Sequence, residues 1–435
     1  PKMKKITALL LALLMALSLC SFACAEEQPT LVRFWHNRSS GANLEACEKA
    51  VDEFNNTIGK EKNIFVEATY QGGYPDLYAK CQLASQTEET PTVAVIGNTY
   101  VVNLMQDDLL VDMAPYAAAT GFDVNNLLDC FQQIEGNTDG HLYSLPYVRS
   151  TPVLYYNKTI ADELNLTAPN TMEDLENFAR ALTLRDPATG EITRYGFEVL
   201  GDFGFVNAAW LWELGEPMLS TDGTSPALDG TSMLNMLTLW RKWVDEGICR
   251  PKDSANASST ASAMLVQGKL CSYMASSGSM KNLLKSMEEA GYELGVVYQP
   301  SFDPSKRTCE VGGGQLTLMA PGNDEKTLAA GWEFLQFLMS DEQGFNNSMA
   351  TGYLPITKSV ANYDKMQAFW AENPTYKVPF DQMMNYGVCQ EYPSFPDLQE
   401  FIANIEAACS YLIQEQSITP EQAVQQMKDS NAHLF

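Results

Sequence analysis

The chain is poor in positive charge and poorer still in histidine. Its 435 residues hold 28 Lys+Arg against 54 Asp+Glu, a formal net charge of −26. Such an excess of negative charge repels phosphate backbones and anionic lipid surfaces, which excludes nucleic-acid binding as a working reading. Three histidines (His36, His141, His433) are too few and too scattered for a His-rich metal site. Ten cysteines are far below a disulfide scaffold, and no two stand at C-x-x-C spacing. Beyond Leu19 no apolar run approaches the ~20 residues that a spanning helix needs. Also missing are G-x-S-x-G, H-E-x-x-H, a P-loop and any G-x-G-x-x-G that follows a strand. Gly312-Gly313-Gly314 precedes a strand, the wrong context for a phosphate-cradling helix start. Nothing favours catalysis, a metal or a cofactor.

What is present begins with an export signal. Lys2, Lys4 and Lys5 precede the uncharged run Ile6–Leu19, and Ala23-Cys24-Ala25 leads into Glu26-Glu27. A basic start, a short apolar stretch and a small-x-small exit predict a signal peptide over 1–25, cleaved after Ala25. In a second reading Cys24 is the lipid-modified first residue, with Ser21-Phe22-Ala23 before it, although Ser21 stands where such boxes carry an aliphatic residue. Either reading places the protein in the periplasm or at the cell surface. The eight remaining cysteines could pair there, or serve as small buried hydrophobes.

The rest of the chain alternates strand-like and helix-like segments. Leu31–Trp35, Ile64–Ala68 and Val93–Gly97 read as strands, and helical spacing over 43–58 and 75–86 separates them. This βαβαβ opening predicts a mostly parallel sheet covered by helices. Thr171, three residues before Asp174, and Thr419-Pro420-Glu421-Gln422 carry helix-start signatures. No repeat, low-complexity tract or linker marks a domain boundary, which suggests segments that cross between lobes.

Two stretches look like parts of a binding cleft. Ser144–Pro152 contains two prolines, Arg149 and small hydroxyls, and reads as a stiff connector into the strand Val153–Tyr156. Ala275-Ser276-Ser277-Gly278-Ser279 follows a strand-like segment and precedes a helix, where hydroxyls and free N–H groups can seat an anion or a hydroxyl-rich ligand, or simply cap the helix. Most of the 7 Trp and 19 Tyr must be core. Trp35 and Tyr353 stand out because each lies at a loop beside a strand end or glycine, where an aromatic face can stack on a sugar.

The chain resembles the extracellular solute-binding proteins of ABC importers, and most closely their sn-glycerol-3-phosphate-binding branch. The resemblance rests on Phe34-Trp35-His36, Thr69–Tyr74 (TYQGGY), Ser150–Lys158 (STPVLYYNK), Ala275–Ser279 (ASSGS), Gly312-Gly313 and Thr351–Lys358 (TGYLPITK). It implies an α/β, two-lobed periplasmic-binding-protein-like fold (type II), with the ligand in a cleft between lobes joined by crossing hinge segments. Lobe 1 would comprise 26–148 and 293–347, lobe 2 149–292 and 348–435. The family's ligand contacts fall on Tyr74, Ser150, Ser276, Gly313 and Tyr353, all of matching type. At Asn98 the family has a Glu, and at Gln399 its phosphate-binding Arg.

The second departure removes the bidentate, charge-assisted pairing that Arg gives a phosphate. Arg149, adjacent to Ser150, is the candidate replacement cation. Without one, a neutral sugar or polyol, or a singly charged phosphodiester, fits better than a phosphomonoester. The resemblance further implies a monomer that captures a small polar solute, sn-glycerol-3-phosphate or a related glycerophosphodiester, by hinge closure, delivers it to permease subunits and does no chemistry on it. A sugar- or oligosaccharide-binding component is the nearest alternative, and a secreted carbohydrate-active enzyme a remote one.

Overall fold

The computed structural model describes residues 28–435 except 88, 133–136, 138, 200, 221–222, 252–256 and 389–396. The expected export signal, Cys24 and Cys389 lie outside the described residues. In chain order the strands are β1 Thr30–His36, β2 Ile64–Tyr70, β3 Val93–Gly97, β4 Leu145–Ser150, β5 Pro152–Asn157, β6 Leu184–Arg185, β7 Ile192–Arg194, β8 Phe197–Val199, β9 Cys249–Pro251, β10 Ser272–Ser276, β11 Leu294–Tyr298 and β12 Gly312–Leu318. One five-stranded sheet has the order β2-β1-β3-β12-β4 and a second the order β11-β5-β10-β8-β9, while β6 and β7 form a small hairpin.

Each sheet runs in one direction except for a single strand. In the first, β12 is antiparallel to both neighbours while β1, β2 and β3 are mutually parallel. In the second, β5 opposes β10 and β11 while β8, β9 and β10 run together. The opposing strands are those that arrive from the other lobe: β5 follows β4 across Thr151 alone, and β12 follows β11 through residues 299–311. The expectation of a mostly parallel sheet thus holds apart from the crossing strands.

Helices cover both faces of each sheet. The continuous apolar run of β3 is buried on both: Val93 and Val95 pack with Phe34, Phe54 and Trp332, and Ala94 and Ile96 with Leu77 and Leu104. In the second sheet Leu154 and Met274 meet Trp210, Trp240 and Trp243, whereas Val153 and Ala275 meet Leu283 and Met287 on the opposite face. Burying side chains of this size stabilises the fold by about 1.5–3 kcal/mol each. The start at Thr171 is a reciprocal capping box with Asp174, and Thr419 forms another with Gln422. Cys47, Cys81, Cys249, Cys271, Cys309 and Cys409 are buried as free thiols, and Cys130 is exposed.

Three expectations are corrected. The stretch 144–152 is not a loop connector but two strands separated by one residue. Its prolines are tolerated because Pro146 lies on the edge strand β4 and Pro152 opens β5. Leu294–Tyr298, expected in lobe 1, adds an edge strand beside β5 in the second sheet. Leu354, Ile356 and Ala361, expected in lobe 2, pack into the core of the first lobe with Tyr147 and Val311. In both cases burial of apolar side chains on the nearer core sets the position.

Candidate functional site

A cleft of about 410 Å³ lies between the two sheets' lobes. From the first lobe it receives the start of the helix Tyr74–Ala84, the Asn98–Tyr100 turn that follows β3, Ser150 at the end of β4, and the glycines that open β12. From the second come Ser276 at the end of β10, a loop at 202–205, and the first turns of the helix Leu398–Ile413. Strand ends and helix starts converge here because the alternation of strand and helix leaves both on the same edge of a sheet. The positive ends of the helix dipoles give the cleft partial positive charge without cationic side chains.

Glycines let these parts approach. Gly313 has φ +126°, and a Cβ there would sit 2.0 Å from the Val148 carbonyl oxygen. A Cβ on Gly314 would sit 2.9 Å from the Tyr74 hydroxyl. The glycine run is therefore the floor against which Tyr74 and β4 are laid.

Seven of the nine residues singled out from sequence line this one cleft: Tyr74, Asn98, Ser150, Ser276, Gly313, Tyr353 and Gln399. Two hydrogen-bonded links cross it. Ser276 Oγ donates to Ser150 Oγ at 2.7 Å and accepts from the Gly278 N–H at 3.1 Å. The capping reading of this serine motif thus holds at Ser276 Oγ, the same atom that lines the cleft. Gln399 Nε2 donates to Thr99 Oγ1 at 2.5 Å, and the Tyr100 hydroxyl donates to Gln399 Oε1 at 3.3 Å. Burial pushes the Tyr74 phenol well above its usual range, so it stays a protonated donor at any physiological pH.

Arg149 and Trp35 are elsewhere. Arg149 is 1% exposed, its Nη2 donates to the Val311 carbonyl at 2.9 Å, and its guanidinium lies 5.6 Å from the Phe131 ring centre. Successive side chains of a strand point to opposite faces, so with Ser150 in the cleft, Arg149 is turned into the lobe. It does not replace the missing cation on the cleft wall. Trp35 packs against the cluster of Leu77, Cys81, Ala94 and Ile96 on the sheet's other side.

Sequence reasoning missed Asn37, Asp202, Phe205 and Glu406, which also line the cleft. Glu406 Oε1 accepts from the Phe203 N–H at 3.0 Å and so ties its helix to the 202–205 loop. The only signal for Asn37 was its place directly after Phe34-Trp35-His36; the others sit in segments with no distinctive pattern. No Lys, Arg or His is among the described residues that line the cleft. Its polar groups are hydroxyls, amides and two carboxylates, a set suited to hydrogen-bonding a solute, and no metal-ligating cluster is found among the described residues.

Two α/β lobes that share crossing strands and face each other across a polar cleft define a solute-binding protein of the ABC-importer type. The chain belongs to the bacterial extracellular solute-binding protein family, whose profile matches residues 49–378. It is 26% identical over 373 residues to the sn-glycerol-3-phosphate-binding periplasmic protein UgpB of Escherichia coli K12, spanning 82% of this chain and 81% of that one. The UgpB of E. coli O1:K1 is 26% identical over 388 residues, with 85% and 84% covered. Among solved structures, UgpB from Mycobacterium tuberculosis in complex with glycerophosphocholine superposes with a TM-score of 0.78 at 19% identity, over 94% of this chain and 98% of that one. The maltose/maltodextrin-binding domain MalE from Bdellovibrio bacteriovorus, bound to maltotriose, gives 0.77 at 20% identity, over 93% and 99%. These likenesses establish the two-lobed fold.

Proposed function

We propose that the protein captures a small glycerol phosphate ester, a phosphodiester in preference to a phosphomonoester, closes its lobes around it and presents it to an ABC permease. The lining of the cleft is the observation that carries this reading: hydroxyls of Tyr74, Ser150, Ser276 and Tyr353 stand together, and no basic side chain joins them among the described residues. A phosphomonoester carries about −1.5 to −2 charges at pH 7 and calls for an Arg or Lys partner. Gln399 is neutral and already engaged with Thr99 and Tyr100. A diester carries one negative charge, which hydroxyls and helix starts can hold.

In this reading Ser150, Ser276 and the Gly313 backbone meet phosphate oxygens, Tyr353 and Tyr74 add faces and hydroxyls, and Asn98 meets a glycerol hydroxyl. The protein works as a monomer, and ligand that bridges the lobes stabilises the closed state. Calorimetric titration with glycerophosphocholine, sn-glycerol-3-phosphate, maltose and ribitol tests it. The expected result is micromolar or tighter binding of the diester, at least about tenfold tighter than the monoester. The carboxylates of Asp202 and Glu406 with the ring of Phe205 favour a second reading, a neutral sugar. Heat from maltose with silence from both esters would establish that ligand class instead.

A further inference from the structure

Among the described residues, Arg38 is buried beside this cleft without a counter-ion. It is 4% exposed, and its Nε and Nη1 have no hydrogen-bond partner among the described residues. Its guanidinium carbon lies 4.6 Å from the centre of the Tyr353 ring and 5.9 Å from that of Tyr147. The side chains that act on it most strongly are Tyr353, Tyr147, Cys47 and Tyr74, and burial holds the Tyr147, Tyr74 and Cys47 groups in their neutral, protonated form. No described carboxylate is among them. A buried, unpaired cation is among the costliest features a fold can carry. Stacking on two tyrosine faces offsets part of that cost and leaves the charge itself unanswered.

The position of Arg38 says where an answering charge would sit. Tyr353, which touches the guanidinium, lines the cleft, as do Tyr74 and the preceding residue, Asn37. The Arg38 N–H donates to His36 Nδ1 at 3.2 Å, so the backbone of this corner is held as well as its side chain. The acids Asp202 and Glu406 reach the same cleft from the second lobe, whereas Arg38 belongs to the first.

We propose that Arg38 is a specificity-determining residue: set behind Tyr353 rather than on the cleft surface, its charge selects a solute with a single negative charge. The inference rests on the glycerol phosphodiester reading above and deepens it. A guanidinium on the surface, as an Arg at 399 would be, could pair two phosphate oxygens and hold a dianion. One behind a ring acts through the field alone, which in a low-dielectric wall still reaches the cleft. It therefore supports one charge and does not compete for the hydroxyl donors.

The test is calorimetric titration of wild type, Arg38→Lys and Arg38→Met with glycerophosphocholine, together with thermal melts of the unliganded proteins. Loss of about tenfold or more in affinity for Arg38→Met, retention within about threefold for Arg38→Lys, and an unliganded melting temperature that is unchanged or raised in Arg38→Met are expected. Wild-type affinity in Arg38→Met would overturn the proposal. So would equal losses in both variants with a lowered melting temperature, the mark of a packing role. Wild type that binds maltose and no ester would remove the ester reading and this proposal together, and that failure shows before any variant is made.

Discussion

Ser276 Oγ donates to Ser150 Oγ at 2.7 Å, and the two residues end strands that belong to different sheets. The bond spans the lobes beside the single residue, Thr151, by which the chain first crosses between them. In the proposed reading, a ligand oxygen seated here would meet donors from both lobes at once, which would make binding and closure one event.

Ser150→Ala and Ser276→Ala should each weaken the ligand by about tenfold, about 1.4 kcal/mol, as a hydrogen bond is lost. Because the hydroxyls bond each other, the double variant should lose less than the product of the two. Calorimetry on the three proteins reads this directly, and strict additivity would show that the two serines do not act on one ligand group.

Replacing Gln399 by Arg should reverse the ligand preference. The variant places a cation where Gln399 now bonds Thr99 and Tyr100. Affinity for sn-glycerol-3-phosphate relative to glycerophosphocholine should rise by about tenfold or more. An unchanged ratio in competition titrations would mean that this position does not face the phosphate.

Gly313→Ala is expected to cost about 1–3 kcal/mol of stability, because the φ of +126° is strained for any side chain and the new Cβ overlaps the Val148 carbonyl. Urea unfolding should show a lower midpoint. A midpoint equal to wild type would contradict the close approach of β12 to β4.

Gln382 holds two crossing segments together. Its Nε2 donates to Thr151 Oγ1 at 3.1 Å and to the Pro152 carbonyl at 2.9 Å, while its Oε1 accepts from the Gln299 N–H at 2.7 Å. All of this is buried, so Gln382→Leu should cost about 2–4 kcal/mol by stranding those partners. Chemical denaturation measures it, and a loss below about 0.5 kcal/mol would show that the segments are held by packing alone.

Glu213 gives a pH dependence. Burial pushes its carboxyl up to about 7, although Ser301 Oγ and the Phe302 N–H donate to it at 2.8 and 2.9 Å. The folded state therefore holds a proton that the unfolded state releases near pH 4.5. Stability from this group is full below about 4.5 and is lost as pH rises through about 7. Relative to Glu213→Gln, wild type should lose about 3 kcal/mol over that window. Parallel stability curves for the two proteins would refute the buried protonated acid.

Much of the fold was legible because its signals are local. The run Val93–Gly97 reads as a strand buried on both faces, and Thr171 and Thr419 read as helix starts, since each needs only neighbours a few residues away. The prolines at 146 and 152 misled because whether a strand lies at an edge, or where it opens, is set by distant partners. Arg149 was misplaced for the same reason: once 145–150 is a strand, parity turns it away from Ser150.

By itself the sequence determined the acidic charge, the alternation of strands and helices, and the hydroxyl and glycine motifs, all properties of residue type and short spacing. Only the tertiary structure decided that Ser150 and Ser276, 126 residues apart, share a hydrogen bond, that Asp202 and Glu406 enter the cleft, and that Arg38 lies buried against Tyr353. The physical reason is that apolar burial, which drives the lobes together, has no direction of its own. Which polar groups then meet is settled by sheet order and crossing strands, and those link segments that are remote in the chain.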